Sequence, residues 1–113
     1  MRICEKRINS FAIRFSLIDR DREIGRVYLY LIKNDLHAEP YGLVEDLFVV
    51  KEYRKKGYGS MLMRKLIEKA RQLNCYKLVA TSRYNRQYVH EFYKRLGFRD
   101  HGKEFRFDYE CMK

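Results

Sequence analysis

The stretch Lys51-Glu52-Tyr53-Arg54-Lys55-Lys56-Gly57-Tyr58-Gly59-Ser60 concentrates the residue types that hold anions in this 113-residue chain. It lies between an apolar run and an amphipathic one. Gly57 and Gly59 can take positive φ and let the backbone come close to a ligand. The start of a helix leaves N–H groups without intrahelical partners and carries the positive end of the helix dipole. Together these features suit phosphate groups, and Arg54, Lys55 and Lys56 add full charges beside them. Two common phosphate motifs are excluded. A P-loop needs Gly-Lys-Ser/Thr, but Gly59 is followed by Ser60-Met61. The dinucleotide fingerprint needs a third glycine where Leu62 stands.

Three further residues could move protons. Glu45 and Asp46 interrupt an otherwise apolar run, residues 43–50. Strand alternation would put them on opposite faces, so at most one reaches a given substrate. Tyr93 lies on the apolar side of a later helix, where the residues by themselves favour a packing role. His37, His90 and His101 lack metal-ligand spacing, so no metal site is expected. Cys4, Cys75 and Cys111 are an odd number without a CxxC pair, which reads as reduced thiols in a cytoplasmic protein.

The elements that must position these residues follow from periodicity. Phe11, Ile13, Phe15 and Leu17 alternate with small or polar residues, giving a half-buried strand. Asp19-Arg20-Asp21-Arg22 is a polar turn, and residues 26–32 return as the second strand of a hairpin. Residues 34–42 form a loop and residues 43–50 a third strand. After the basic loop, Leu62, Met63, Leu66, Ile67, Ala70 and Leu73 define one face of a helix that stops at Asn74. A short strand covers residues 76–81. A second helix covers residues 86–96, with Gly97 as its C-terminal cap. Phe105, Phe107 and Tyr109 alternate in a last strand. The order β-β-β-α-β-α-β implies an α/β fold, a mixed sheet flanked by helices, in a single domain over residues 1–113.

Composition agrees with a globular domain: 46% of residues are hydrophobic and 35% charged. No apolar run approaches the roughly 20 residues of a membrane span, and the charged start argues against a secretory signal. The net charge of +10 attracts anions of many kinds. Nucleic acid is an unfavoured partner, because the cations are dispersed and no recognised binding motif accompanies them.

The segment Arg54-x-x-Gly57-x-Gly59 resembles the acetyl-CoA pyrophosphate loop of the GNAT superfamily of N-acetyltransferases. Glu45-Asp46-Leu47-Phe48-Val49-Val50-Lys51-Glu52-Tyr53-Arg54 resembles that family's fourth strand and the turn leaving it. His90-Glu91-Phe92-Tyr93-Lys94-Arg95-Leu96-Gly97-Phe98 is similar to its helix ending Tyr-x-x-x-Gly-Phe, and Tyr109-Glu110-Cys111-Met112-Lys113 to its last strand. The resemblance implies acetyl transfer from acetyl-CoA to a primary amine by direct attack, the acceptor being a protein or a small molecule. It implies that Leu47, Phe48 and Val49 line a gap between splayed strands, where their backbone pairs with the pantetheine arm. Those roles belong to the backbone, and for the side chains of Phe48 and Val49 a place in the core stands at least level with any function of their own. Lys55, Lys56, Gly57, Tyr58, Gly59 and Ser60 then face the pyrophosphate. Tyr93 would protonate the leaving thiolate, and Glu45 would take the proton of the amine. Asn85 would be a cofactor contact or, equally, a helix cap. The family's usual first strand and two helices are reduced or absent ahead of residue 11. That leaves an acceptor side that is open, shared in a homodimer, or degenerate. The alternative reading is a non-catalytic CoA-binding module of the same fold.

Overall fold

The computed structural model describes residues 1–109. It divides into two compact units, Met1–Ala80 and the residues from Thr81 onward.

In the first unit, β1 (Phe11–Asp19) and β2 (Arg22–Ile32) form an antiparallel hairpin. Its two turn residues, Arg20 and Asp21, both adopt left-handed backbone, φ 51° and 65°. That is the signature of the tight turn whose twist matches a hairpin. β3 (Tyr41–Val49) pairs antiparallel with β2, and β4 (Leu78–Val79) pairs parallel with β3, giving the order β1-β2-β3-β4. Between β3 and β4 lie a 3-10 turn, Lys51–Tyr53, and the helix α1 (Tyr58–Gln72).

The core forms where α1 covers one face of the sheet. Ile24, Val27, Leu29 and Leu31 of β2 and Val44 of β3 are buried with Leu62, Met63, Leu66 and Ala70 of α1. Each large side chain buried this way contributes about 1.5–3 kcal/mol. The helix approaches β2 closely at Gly25, where an added Cβ would stand 3.1 Å from Leu62 Cδ1 and 3.2 Å from the Phe48 carbonyl oxygen. α1 ends on Asn74 at φ 63°, with Asn74 N–H donating to Arg71 O and Cys75 N–H to Ala70 O, both 3.0 Å. This is the paired bonding that closes a helix over a left-handed residue.

In the second unit, α2 (Gln87–Arg95) follows a turn in which the His90 ring Nε2 lies 2.8 Å from Arg83 O. Gly97, at φ 104°, ends it: Gly97 N–H donates to Lys94 O and Phe98 N–H to Tyr93 O, both 3.0 Å.

Two expected strands differ. The strand expected over residues 76–81 shrinks to Leu78–Val79, because only Gly42↔Leu78 and Leu43↔Val79 pair with β3. The expected final strand does not form among the described residues: 101–109 carry no ladder, and Phe105, Phe107 and Tyr109 are exposed. Alternation specifies two faces but supplies no hydrogen-bonding neighbour, and a strand needs both. Residues 110–113 of that expectation lie outside the described residues. No helix or strand precedes β1 among the described residues, in line with the short front expected.

Candidate functional site

β3 changes character at Asp46. Tyr28 pairs with Glu45, but Arg26 pairs with Phe48, so three steps on β3 match two on β2. The extra residue is a bulge, and Asp46 takes it up at φ 57°, a conformation Asp tolerates better than most residues. This overturns simple alternation through Glu45 and Asp46. Glu45 and Phe48 now share the face of Tyr28 and Arg26, away from α1, while Asp46 is exposed on the bulge itself. Glu45 is half-buried.

On its other side β3 parts from β4 after Leu43. From Val44 to Val49 it has no strand partner there among the described residues. Leu47 and Val49 are half-buried, and Val49 Cγ2 reaches toward Gly25 on the α1 side. Phe48 is not core: it is 39% exposed, with the guanidinium of Arg26 4.9 Å and that of Arg54 5.2 Å from its ring centroid. Both distances suit cation–π attraction.

The loop after β3 is shaped by two left-handed residues, Lys55 at φ 63° and Gly57 at φ 88°. Gly57 is the N-cap of α1 and provides no side-chain cap. An added Cβ there would meet nothing within 4 Å, so the backbone angle alone demands glycine. Met61 N–H makes the helical bond to Gly57 O at 3.0 Å. The N–H groups of Tyr58, Gly59 and Ser60 therefore precede any intrahelical partner. Of the two glycines able to take positive φ, Gly59 does not; it is already inside α1, one residue past Tyr58. Its lack of a side chain, not its torsion, is what it offers. Arg54 is drawn back onto the strand, its Nε donating to Val49 O at 2.7 Å. Lys55 and Lys56 are exposed.

The second unit holds Tyr93 and Asn85. Tyr93 is half-buried, its ring 5.5 Å from Phe92 and 5.3 Å from Phe98. Its carbonyl accepts from Phe98 N–H. Tyr-x-x-x-Gly-Phe is thus a helix stop in which the last aromatic packs on the first. Asn85 lies exposed in the turn before α2 and does not cap it, since Arg86 occupies the N-cap and makes no side-chain cap bond.

Residues that the sequence did not single out complete the picture. Arg14, Ser16, Glu23 and Tyr28 are joined on the face away from α1. Glu23 accepts from Arg14 Nη2 and Ser16 Oγ, each at 2.5 Å, and Arg14 also donates to the Tyr28 hydroxyl. The Ser16 hydrogen bond, then Arg14, holds the Glu23 carboxyl below its ordinary value. Residue type alone could have suggested this cluster only once the hairpin register was known.

The Acetyltransferase (GNAT) family matches residues 6–98. The chain is 37% identical over 67 residues to a glucosamine 6-phosphate N-acetyltransferase of Trypanosoma brucei brucei, covering 59% of this chain and 44% of that protein. It is 28% identical over 95 residues to N-alpha-acetyltransferase 30 of Schizosaccharomyces pombe, covering 82% and 61%. The matches thus span less than two thirds of either relative. The crystal structure of a Trypanosoma brucei acetyltransferase superimposes with a TM-score of 0.77 at 29% identity, covering 86% of this chain and 68% of that one. Parted parallel strands, a bulged β3 and a glycine-led helix start, matched over most of its length, place this chain in the GNAT acetyltransferase family.

Proposed function

We propose that this chain, residues 1–113 acting as one domain, transfers an acetyl group from acetyl-CoA to a primary amine by direct attack. The observation that carries the reading is the parting of β3 from β4 after Leu43, which leaves the edge of β3 that faces away from β2 without a neighbouring strand over residues 44–49, beside a helix start. Those groups fit the donor. A pantetheine arm pairs with an open strand edge as an added strand does. The N–H groups of Tyr58, Gly59 and Ser60, with Lys55 and Lys56, suit a pyrophosphate. Bound acetyl-CoA supplies an activated thioester.

The chain's own residues then have defined tasks. A backbone N–H near Phe48 stabilises the oxyanion formed as the amine adds. Glu45 takes a proton from the amine, whose ammonium form has a pKa of about 10.4 and cannot attack. Tyr93 donates its phenolic proton to the thiolate that leaves. The Glu45 and Tyr93 roles rest on the motifs that carry them. Arg54 orients the loop from below, since its guanidinium is engaged with Val49 O and Phe48. One relative is named for glucosamine 6-phosphate and the other as an N-alpha-acetyltransferase; both names describe transfer to nitrogen, and the acceptor of this chain is left open.

The test is acetyl-CoA turnover with a panel of amines, read as thiol release. Acetylation of an amine by the wild-type chain supports the reading. Tight acetyl-CoA binding with no turnover on sugar, peptide or lysine amines would replace it with a donor-binding module.

A further inference from the structure

The loop that faces the donor is also tied to the far end of the β1–β2 hairpin. The Tyr53 hydroxyl donates to Asp19 Oδ2 at 2.6 Å. That length is typical of a hydroxyl bonded to a carboxylate. Asp19 is the last residue of β1, immediately before the two left-handed turn residues, so the hairpin fixes where its carboxylate points. Tyr53 ends the 3-10 turn that leads out of β3. Its ring has the Arg22 guanidinium 5.8 Å from its centroid and the Tyr58 ring at 6.0 Å. One side chain therefore touches both strands of the hairpin and the first residue of α1. The residues between, 54–57, include the strained Lys55 and the left-handed Gly57. A loop held in its binding conformation loses less entropy when its ligand arrives.

We propose that Asp19 and Tyr53 form a latch that sets the position of residues 54–60, making both of them positioning residues for donor binding. The inference rests on the acetyl-CoA reading above. The bond to Asp19 also raises the Tyr53 pKa above its ordinary value of 10.0, so the phenol remains the donor further into the alkaline range.

The experiment compares wild type, Tyr53→Phe, Asp19→Asn and the double variant. It measures acetyl-CoA affinity by calorimetry, kcat at saturating donor, and amide hydrogen exchange of residues 54–60. Tyr53→Phe keeps the ring and removes only the hydroxyl. The expected result is acetyl-CoA binding weakened about three- to tenfold, the equivalent of one hydrogen bond, with kcat unchanged and faster exchange in the loop. Asp19→Asn should fall between wild type and Tyr53→Phe, and the double variant should be no worse than Tyr53→Phe alone. A role in fold stability alone would lower Tm without moving donor affinity, and that outcome overturns the proposal. Additive effects in the double variant also overturn it. A wild-type chain that binds no acetyl-CoA defeats the donor reading itself. Loop exchange unchanged in Tyr53→Phe defeats the latch whatever the donor does.

Discussion

Gly57 and Gly97 adopt nearly the same backbone angle, φ 88° and 104°, and an added Cβ at either would meet nothing within 4 Å. Their consequences are opposite. Gly57 opens α1 and leaves N–H donors pointing out of the helix start. Gly97 closes α2 and consumes its own N–H and that of Phe98 on the carbonyls of Lys94 and Tyr93. The same residue leaves donors open at one end of a helix and removes loose ends at the other. What differs is whether the orphaned backbone groups find partners within the chain. On the proposed reading Gly57 serves the donor, and Gly97 sets the helix end that carries Tyr93.

The largest effect should come from the residue that Gly97 helps to fix. Tyr93→Phe should lower kcat by about 10²- to 10⁴-fold, the usual worth of a general acid, with acetyl-CoA affinity unchanged in calorimetry. An unaltered kcat would reduce Tyr93 to a packing residue of the helix stop. Next, Gly57→Val and Gly97→Val each force a β-branched residue into left-handed backbone, at a cost of about 1–2 kcal/mol. Gly57→Val should weaken acetyl-CoA binding by up to roughly five- to thirtyfold, because the free loop can relax out of the left-handed conformation and binding must restore it. Gly97→Val should lower Tm and kcat while leaving donor affinity alone. Equal donor effects from both variants would erase the distinction between them.

The periodic parts of this arrangement were readable in the sequence. The hairpin, the apolar face of α1 from Leu62 to Ala70 and both helix stops follow from residue spacing and from Asn or Gly at the right place. The bulge was not readable, because it is a relation between β3 and β2: Asp46 announces only that it would tolerate the conformation. Which of Gly57 and Gly59 would turn left-handed depended on where the first helical bond formed, and Met61 settled it on Gly57 O. Phe48 looked like core because its partners, Arg26 and Arg54, arrive from another strand and from the loop. The Tyr53 bond to Asp19 spans 34 residues and has no periodic signature. The last strand failed for the reverse reason: Phe105, Phe107 and Tyr109 had the pattern without a described ladder to join.

Two further tests probe the scaffold itself. At Gly42, where β3 and β4 still pair, an added Cβ would lie 2.5 Å from Leu78 Cδ2 and 2.7 Å from Leu29 Cδ1. Gly42→Ala should cost about 1–3 kcal/mol through overpacking, read as a lower midpoint in urea. A neutral result would mean that both leucine ends move aside freely. The smallest effect concerns pH. The folded-state pKa of Glu23 is lowered from 4.5 by Ser16 and then Arg14. Its contribution is therefore present above that ordinary value and is lost as pH falls through the lower folded value. Tm should decline across that acid range, and Glu23→Gln should flatten the decline; an identical profile in the variant would show that the cluster adds nothing to stability.

Whether the parted strands and the start of α1 hold the donor is decided by a thermal melt with and without acetyl-CoA. At about a hundred times its Kd the donor should add roughly 2.7 kcal/mol of stability, which is several degrees for a chain of this size. The wild type should show a clear upward shift and Gly57→Val a smaller one at the same donor concentration. An unshifted melt at millimolar acetyl-CoA, or a shift that Gly57→Val leaves intact, would contradict donor binding there.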